Sequence, residues 1–389
     1  MTRNHGGILL AALGLGAALL GGCVQYPARP GQMVTNPTTA RQSARRVLHD
    51  AAGSPDGQVR AHALESLALT EGSAAGPLLL AALDDPAVAV RFVAAMGIGD
   101  VAYAPARPRL RQMADDAGID KNVLCGVIYA LHRLGDDTLA PHLGRLLYDA
   151  SPEVRANAAL AMGKFGSEAA VQPLNSRLIV ERNRGVKLQI AESLALLGDQ
   201  KSYGMLMNFS HIGEPHERMV ALAALGRSGG LRAQTRGVLL WAIDETQPPP
   251  LRLVAGGALG QLGDRRAYWV IVGAIEDPKG FSQQSYDKPV TLSEEQKQQT
   301  MSLAALALGH QGEPAAVDVL VDLLGHANAT IAVSAARSIL MLLPEATAAT
   351  AATQTPEVPA APVEATPSPV RPAGDEALAP AMRTAPMRE

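Results

Sequence analysis

The chain has 389 residues, 47% of them hydrophobic but only 3% aromatic, and a formal net charge of -3. That is enough apolar material for a large core, and a composition rich in Ala, Leu and Gly suits closely packed helices better than the aromatic and β-branched strands of sandwiches and barrels. Without any dense Lys/Arg run, the balance of charge excludes a nucleic-acid-binding surface.

At the N-terminus, Arg3 and the free amine precede an apolar run from Ile8 to Leu20, too short to span a bilayer and of the form expected of an export signal. The residues that end it, Leu20-Gly21-Gly22-Cys23, resemble the lipobox of bacterial lipoproteins. That resemblance implies that residues 1–22 are a signal peptide, that Cys23 is lipidated and starts the mature chain, and that its acyl chains anchor the protein in a membrane. Val24, where Asp is the alternative, implies by the same family's sorting pattern the periplasmic face of the outer membrane. Once Cys23 is acylated, Cys125 has no partner for a disulfide. The lipidated N-terminus continues as a linker, 23–37, polar and broken by Pro27, Pro30, Gly31 and Pro37, which places the body about 20 Å from the bilayer.

Beyond the linker an internal repeat sets the fold. With the basic residue after Val as marker, equivalent positions are Arg60, Arg91, Leu124, Arg155, Lys187, Arg218, Arg252, Met301 and Ala332, mostly 31 to 34 residues apart. Three residues past the markers stand Ala63, Ala94, Val127, Ala158, Ile190, Ala221, Ala255, Ala304 and Ala335. Eleven past them stand Gly135, Gly166, Gly198, Gly229, Gly263 and Gly312, where glycine can close a helix in the left-handed conformation. Each unit reads as a first helix, such as Gly76 to Leu83 or Ala140 to Tyr148, an Asp/Pro turn, and a second helix with apolar residues at i, i+3, i+4 and i+7. One pair cannot cover its own apolar stripe, so neighbours must stack. The expected fold is therefore all-α: an α-α superhelix, or solenoid, of about nine helix pairs over residues 38–344.

The phrasing Asp84-Asp85-Pro86 with Val90-Arg91, and Ser151-Pro152-Glu153-Val154-Arg155 with Ala158-Ala159-Leu160, resembles HEAT repeats of the armadillo-like class, in particular the short bacterial form found in phycobilisome lyases. The units at Leu124, Met301 and Ala332 depart from the pattern by lacking the basic residue. Such repeats imply a protein-binding scaffold, with the concave face of the second helices as the first surface to consider. The kinship with phycobilisome lyases keeps open a second possibility, an enzyme or chromophore-handling protein. An insertion at about 277–297, between the helices of the eighth unit, carries Phe281 and Tyr286 as candidate binding residues and ends on a helix start near Ser293-Glu294-Glu295. Residues 345–389 turn to Ala, Pro, Thr and Glu and are expected to be a disordered tail.

Chemistry is sparse. Met162-Gly163-Lys164-Phe165-Gly166-Ser167 lacks the upstream glycine of a phosphate loop, and no Gly-x-Ser-x-Gly elbow occurs. His211, Glu214, His216 and Glu217 fall in an inter-helix turn, where a solvated cluster is the expectation and not a metal centre. Cys125 sits in the apolar run Val123 to Ile128 as a small buried hydrophobe, and Phe92, Phe165, Phe209, Trp241 and Trp269 fall in helical stripes that suit a core. The markers Arg60, Arg91, Arg155, Lys187, Arg218 and Arg252 admit two readings: a structural ladder that pairs with turn acids such as Asp56, Asp85, Asp149 and Glu214 and bridges the turns of adjacent repeats, or direct contacts to a ligand. No catalytic residue, metal or cofactor is expected. The expected partners are proteins of the cell envelope, with the membrane reached through the lipid anchor and no small-molecule substrate.

Overall fold

Local capping explains where the helices start. Asn36 accepts from the Thr38 and Thr39 amides ahead of Pro37, Asp56 from the Gln58 amide, Asp120 from Asn122, and Ser293 forms a capping box with Gln296. In the computed structural model, which describes residue 31, residues 33–278, residue 281 and residues 292–345, these are four of the starts of eighteen α-helices in nine pairs. The expected signal peptide, Cys23, Tyr286 and the expected tail beyond Glu345 lie outside the described residues. No described helix is long and apolar enough to cross a membrane.

The first helices are α1 (Pro37–Ala52), α3 (Gly76–Ala82), α5 (Arg107–Ala114), α7 (Ala140–Leu146), α9 (Val171–Val180), α11 (Gln200–Ile212), α13 (Arg232–Ala242), α15 (Tyr268–Glu276) and α17 (Ala316–Val321). The second helices are α2 (Gly57–Glu71), α4 (Val88–Asp100), α6 (Lys121–Arg133), α8 (Pro152–Phe165), α10 (Arg184–Leu196), α12 (Pro215–Ser228), α14 (Pro249–Gln261), α16 (Glu294–Gln311) and α18 (Ala329–Leu342). Each second helix packs on the second helix before and after it, while the first helices other than α1 lean mainly on their own partners, so the second helices form the inner layer. The positions three past the markers are fully buried in all nine repeats, and the six closing glycines have φ between 62° and 86°.

Closure was not legible in the repeats. Helix α18 packs on both α1 and α2, so the inner layer runs in a closed circuit instead of ending in an open arc. Two polar clasps fasten the seam: the Asp318 carboxylate on α17 accepts from the Val34 amide at 2.9 Å and the Thr35 amide at 2.7 Å, and Arg337 on α18 donates to Glu65 on α2 at 3.2 Å. Asp318→Ala removes charge-assisted bonds of about 1.5 kcal/mol together. Amide exchange in α1 and α18 is expected to quicken roughly tenfold while the middle repeats keep their protection. Equal protection at the seam in both proteins would show that packing alone closes the circuit.

Candidate functional site

The described turns between first and second helices lie on one rim, because the first helices run towards it and the second helices run away. The marker side chains stand there. Arg60 donates as a fork to Asp85 of the following repeat, both bonds 2.8 Å, and Arg155 does the same to Glu181 at 2.8 and 3.0 Å. Arg218 reaches Gln247 at 3.0 Å, and the Arg252 guanidinium lies 4.3 Å from the centre of the Phe281 ring. Lys187 is half-buried near the start of α10. At Arg60, Arg155 and Arg218 the ladder runs to the next repeat and not to the acid of the same turn: Asp56 is occupied in capping α2, and Asp149 pairs with Lys121 at 2.5 Å. Phe281, placed by the sequence in an interacting insertion, is only 9% exposed and belongs to the core.

Glu181 is the most heavily bonded carboxylate of the rim. Burial would raise its pKa, but the hydrogen bonds of Arg155 and Arg177, with the Asn183 amide, outweigh that and hold it at about 2. Glu217 likewise is not a solvated turn residue: it caps α12, takes both arms of Arg184 at 2.7 Å, and is held at about 2 chiefly by that bond. His211 packs against Trp241 with tilted rings whose centres lie 4.3 Å apart, and among the described residues no three His, Cys, Asp or Glu side chains converge as metal ligands. Burial pushes the Cys125 thiol up to about 12, so it stays protonated.

On the same rim, four consecutive repeats end their first helices on apolar side chains left in solvent. Tyr148 is 56% exposed, Ile179 83% and Ile212 74%, with Val180 and Trp241 beside them. Arginines tie the row together: Arg177 lies over the Tyr148 ring, Arg184 over Phe209 and Arg218 over Trp241, each between 5.2 and 5.6 Å from the ring centre. Trp241, which the helical stripe assigned to the core, is part of this surface. Its position near the end of α13, two residues past the packed Leu239 and so on another side of the helix, turns it to the rim.

Polar pairs also link second helices across the inner layer, between neighbours and, for Lys164 on α8 and Asp100 on α4, two repeats apart. Lys164 pairs with Asp100 at 2.7 Å, Arg227 with Glu192 at 2.5 Å, and Tyr129 donates to Asp100 at 2.6 Å. His310 is held neutral: burial, and then the positive charges of Arg337 and Arg227, lower its pKa from 6.5 to about 4. A depressed histidine contributes stability that is complete above pH 6.5 and is lost as pH falls through 4. The melting temperature is therefore expected to drop across that window and to drop less in His310→Gln. Parallel profiles for the two proteins would remove His310 from the account.

Together these features define an all-α repeat protein, a solenoid of stacked helix pairs with its exposed apolar row on one rim. Residues 44–120, 76–150 and 118–195 match the family model of HEAT repeats, so this part of the chain consists of HEAT repeats, and the same pairing continues to Leu342. Among solved structures the chain is similar to the complex of CpcE and CpcF of phycocyanin lyase from Nostoc sp. PCC7120, at 23% identity over 61% of this chain and 91% of that chain, with a TM-score of 0.38. It is also similar to human deoxyhypusine hydroxylase in complex with glycerol, at 18% identity over 71% of this chain and 98% of that chain, with a TM-score of 0.34. Likeness at this distance concerns the fold alone. No curated protein matches the chain in sequence.

Proposed function

We propose that this protein is a lipid-anchored interaction scaffold of the bacterial cell envelope, tethered through Cys23 at the periplasmic face of the outer membrane and working by binding and not by catalysis. The observation that carries this reading is the exposed row Tyr148, Ile179, Val180, Ile212 and Trp241 on the turn rim. Apolar side chains that stay in water singly need no explanation, but a series that recurs on four consecutive repeats, with aromatic and arginine members, has the composition of a protein-binding patch. The tether favours a protein over the bilayer as its occupant. Helix α1 begins on the opposite rim, so a tether ahead of Asn36 joins the body on the side away from the apolar row.

The inner face and the insertion are weaker candidates, since the inner charges pair with one another and Phe281 is packed. A non-catalytic role is supported by the protonated Cys125 and by His310, whose ring Nε2 meets the Gln261 amide at 3.3 Å and whose charged neighbours are both cationic. Purification of the lipidated protein from membranes is expected to bring down one specific companion. The double variant Ile179→Asp, Ile212→Asp is expected to recover at least tenfold less of it with an unchanged melting temperature, since exposed positions contribute little to folding. A companion retained by the double variant overturns the rim assignment. Separately, Cys23→Ser is expected to leave the protein in the soluble fraction, and a variant that stays in the membrane overturns the lipid anchor.

A further inference from the structure

The arginine near the start of the second helix repeats one arrangement three times. In Arg60, Nη1 donates to Ser54 O at 2.8 Å and Pro55 O at 3.0 Å, and in Arg155 to Asp149 O at 2.9 Å and Ala150 O at 3.0 Å. Anchoring Nη1 to the turn aims Nε and Nη2 at the next repeat, where Asp85 and Glu181 fill the fork. Arg91 is anchored identically, with Nη1 donating to Asp85 O at 2.7 Å and Pro86 O at 3.1 Å. Its Nε and Nη2, however, have no hydrogen-bond partner among the described residues.

One position in the next turn accounts for the difference. Asp85 and Glu181 each stand six residues before the marker of their own repeat, Arg91 and Lys187, whereas six before Leu124 stands Gly118. A Cβ placed on Gly118 would meet only the Asp116 carboxylate, at 3.3 Å, so the space the acidic side chain occupies in the other repeats is open here. It forms part of a cavity of about 510 Å³ whose wall includes Arg91, Arg109, Gln112, Met113, Gly118 and Ile119.

We propose that this cavity is a binding site for a carboxylate that does not belong to the chain, received by the Nε and Nη2 fork of Arg91 in the place that Asp85 and Glu181 take at Arg60 and Arg155. A planar carboxylate matches the two parallel donors of a guanidinium. The acids already in the wall are engaged: Asp84 with Arg109, Asp85 with Arg60 and the Ala87 amide, Asp116 with the Gly118 amide, and Asp120 with the amides of Asn122 and Val123. Their proximity does not forbid the ligand, because Asp149 stands to Arg155 as Asp85 stands to Arg91, and Arg155 still holds Glu181. It does disfavour a dianion such as sulfate relative to a single carboxylate. The carboxylate can come from an Asp or Glu side chain of a partner or from a small dicarboxylic acid. The site lies in the second and third repeats, apart from the apolar row, and is tested independently of it.

The arginine Nε–Hε signals of the full-length chain, with the Ile119 amide beside them, provide the readout by NMR. Succinate and the capped peptide acetyl-Gly-Glu-Gly-amide are each expected to shift the Arg91 and Ile119 signals saturably. Arg91→Lys keeps the charge but loses the fork, and should weaken the response at Ile119 at least tenfold. Gly118→Glu supplies the missing acid from within, and should move the Arg91 signal to its bound position without ligand, abolish the response to both probes, and raise the melting temperature. A peptide bound tenfold more tightly than succinate assigns a partner side chain, and equal binding assigns a small acid; either supports the proposal. No response to either probe, a response that survives Arg91→Lys or Gly118→Glu, or a larger response to sulfate overturns it.

Discussion

Glu181→Ala is expected to destabilise the array by about 4 kcal/mol at pH 7, the cost of leaving buried charges without their partner. Glu181 accepts from Nε and Nη2 of Arg155, from Nε and Nη2 of Arg177, and from the amides of Arg182 and Asn183. The alanine leaves two guanidinium groups unpaired, of which Arg155 is itself buried, and frees two amides of the turn into α10. Arg155→Met costs less, because Glu181 keeps Arg177 and both amides while an apolar chain fills the space. The pH dependence separates this explanation from a packing defect. A carboxylate held at about 2 in the folded chain and near 4.5 when unfolded contributes stability that is complete above pH 4.5 and is lost as pH falls through 2. The gap between the native chain and Glu181→Ala, measured by urea unfolding with amide exchange resolving α8 to α10, should therefore narrow steadily from pH 5 to pH 2. A gap that stays constant would assign the loss to shape and not to charge.

The parts of the molecule that repeat were legible in the sequence, and the parts that arise from summing the repeats were not. A small or apolar residue three past each marker becomes a fully buried position in all nine units, and the glycines eleven past become left-handed helix ends, because both follow from one helix pair meeting its neighbour. Closure depends on the accumulated rotation of nine pairs, and no local residue encodes that quantity. The ladder was visible as a series of basic residues bridging the turns of adjacent repeats, but the acid that each takes was not: Asp56 lies nearer Arg60 in sequence than Asp85 does, yet the cap of α2 claims it. Trp241 shares a helical stripe with core residues, and only the end of its helix at the rim puts it in water. Gly118 could have been read as a missing acid from sequence alone, once the position six before the marker was known to supply the acceptor.

Gly226→Val is expected to cost about 3 kcal/mol, at the upper end of the range for forcing extra volume into a packed interface. A Cβ on Gly226 would lie 2.8 Å from the Ala258 Cα and 2.7 Å from its Cβ, so α12 and α14 touch almost backbone to backbone. Gly163 meets the Ser193 Cα at the same 2.8 Å in the pair α8 and α10. An open array could yield by rotating its free repeats apart, but in a closed circuit each second helix is held on both sides, and a displacement at one contact must be absorbed by the others. Alanine makes the sharper comparison. Gly237, in α13, has nothing within 4 Å of an added Cβ, so Gly237→Ala should stabilise by about 0.5 kcal/mol through the entropy of the unfolded chain. Gly226→Ala gains the same entropy and should still destabilise, because its Cβ meets backbone. The same substitution eleven residues apart is thus expected to move the melting temperature in opposite directions, and a rise at both positions would mean that the close approach of the second helices is not what holds the circuit together.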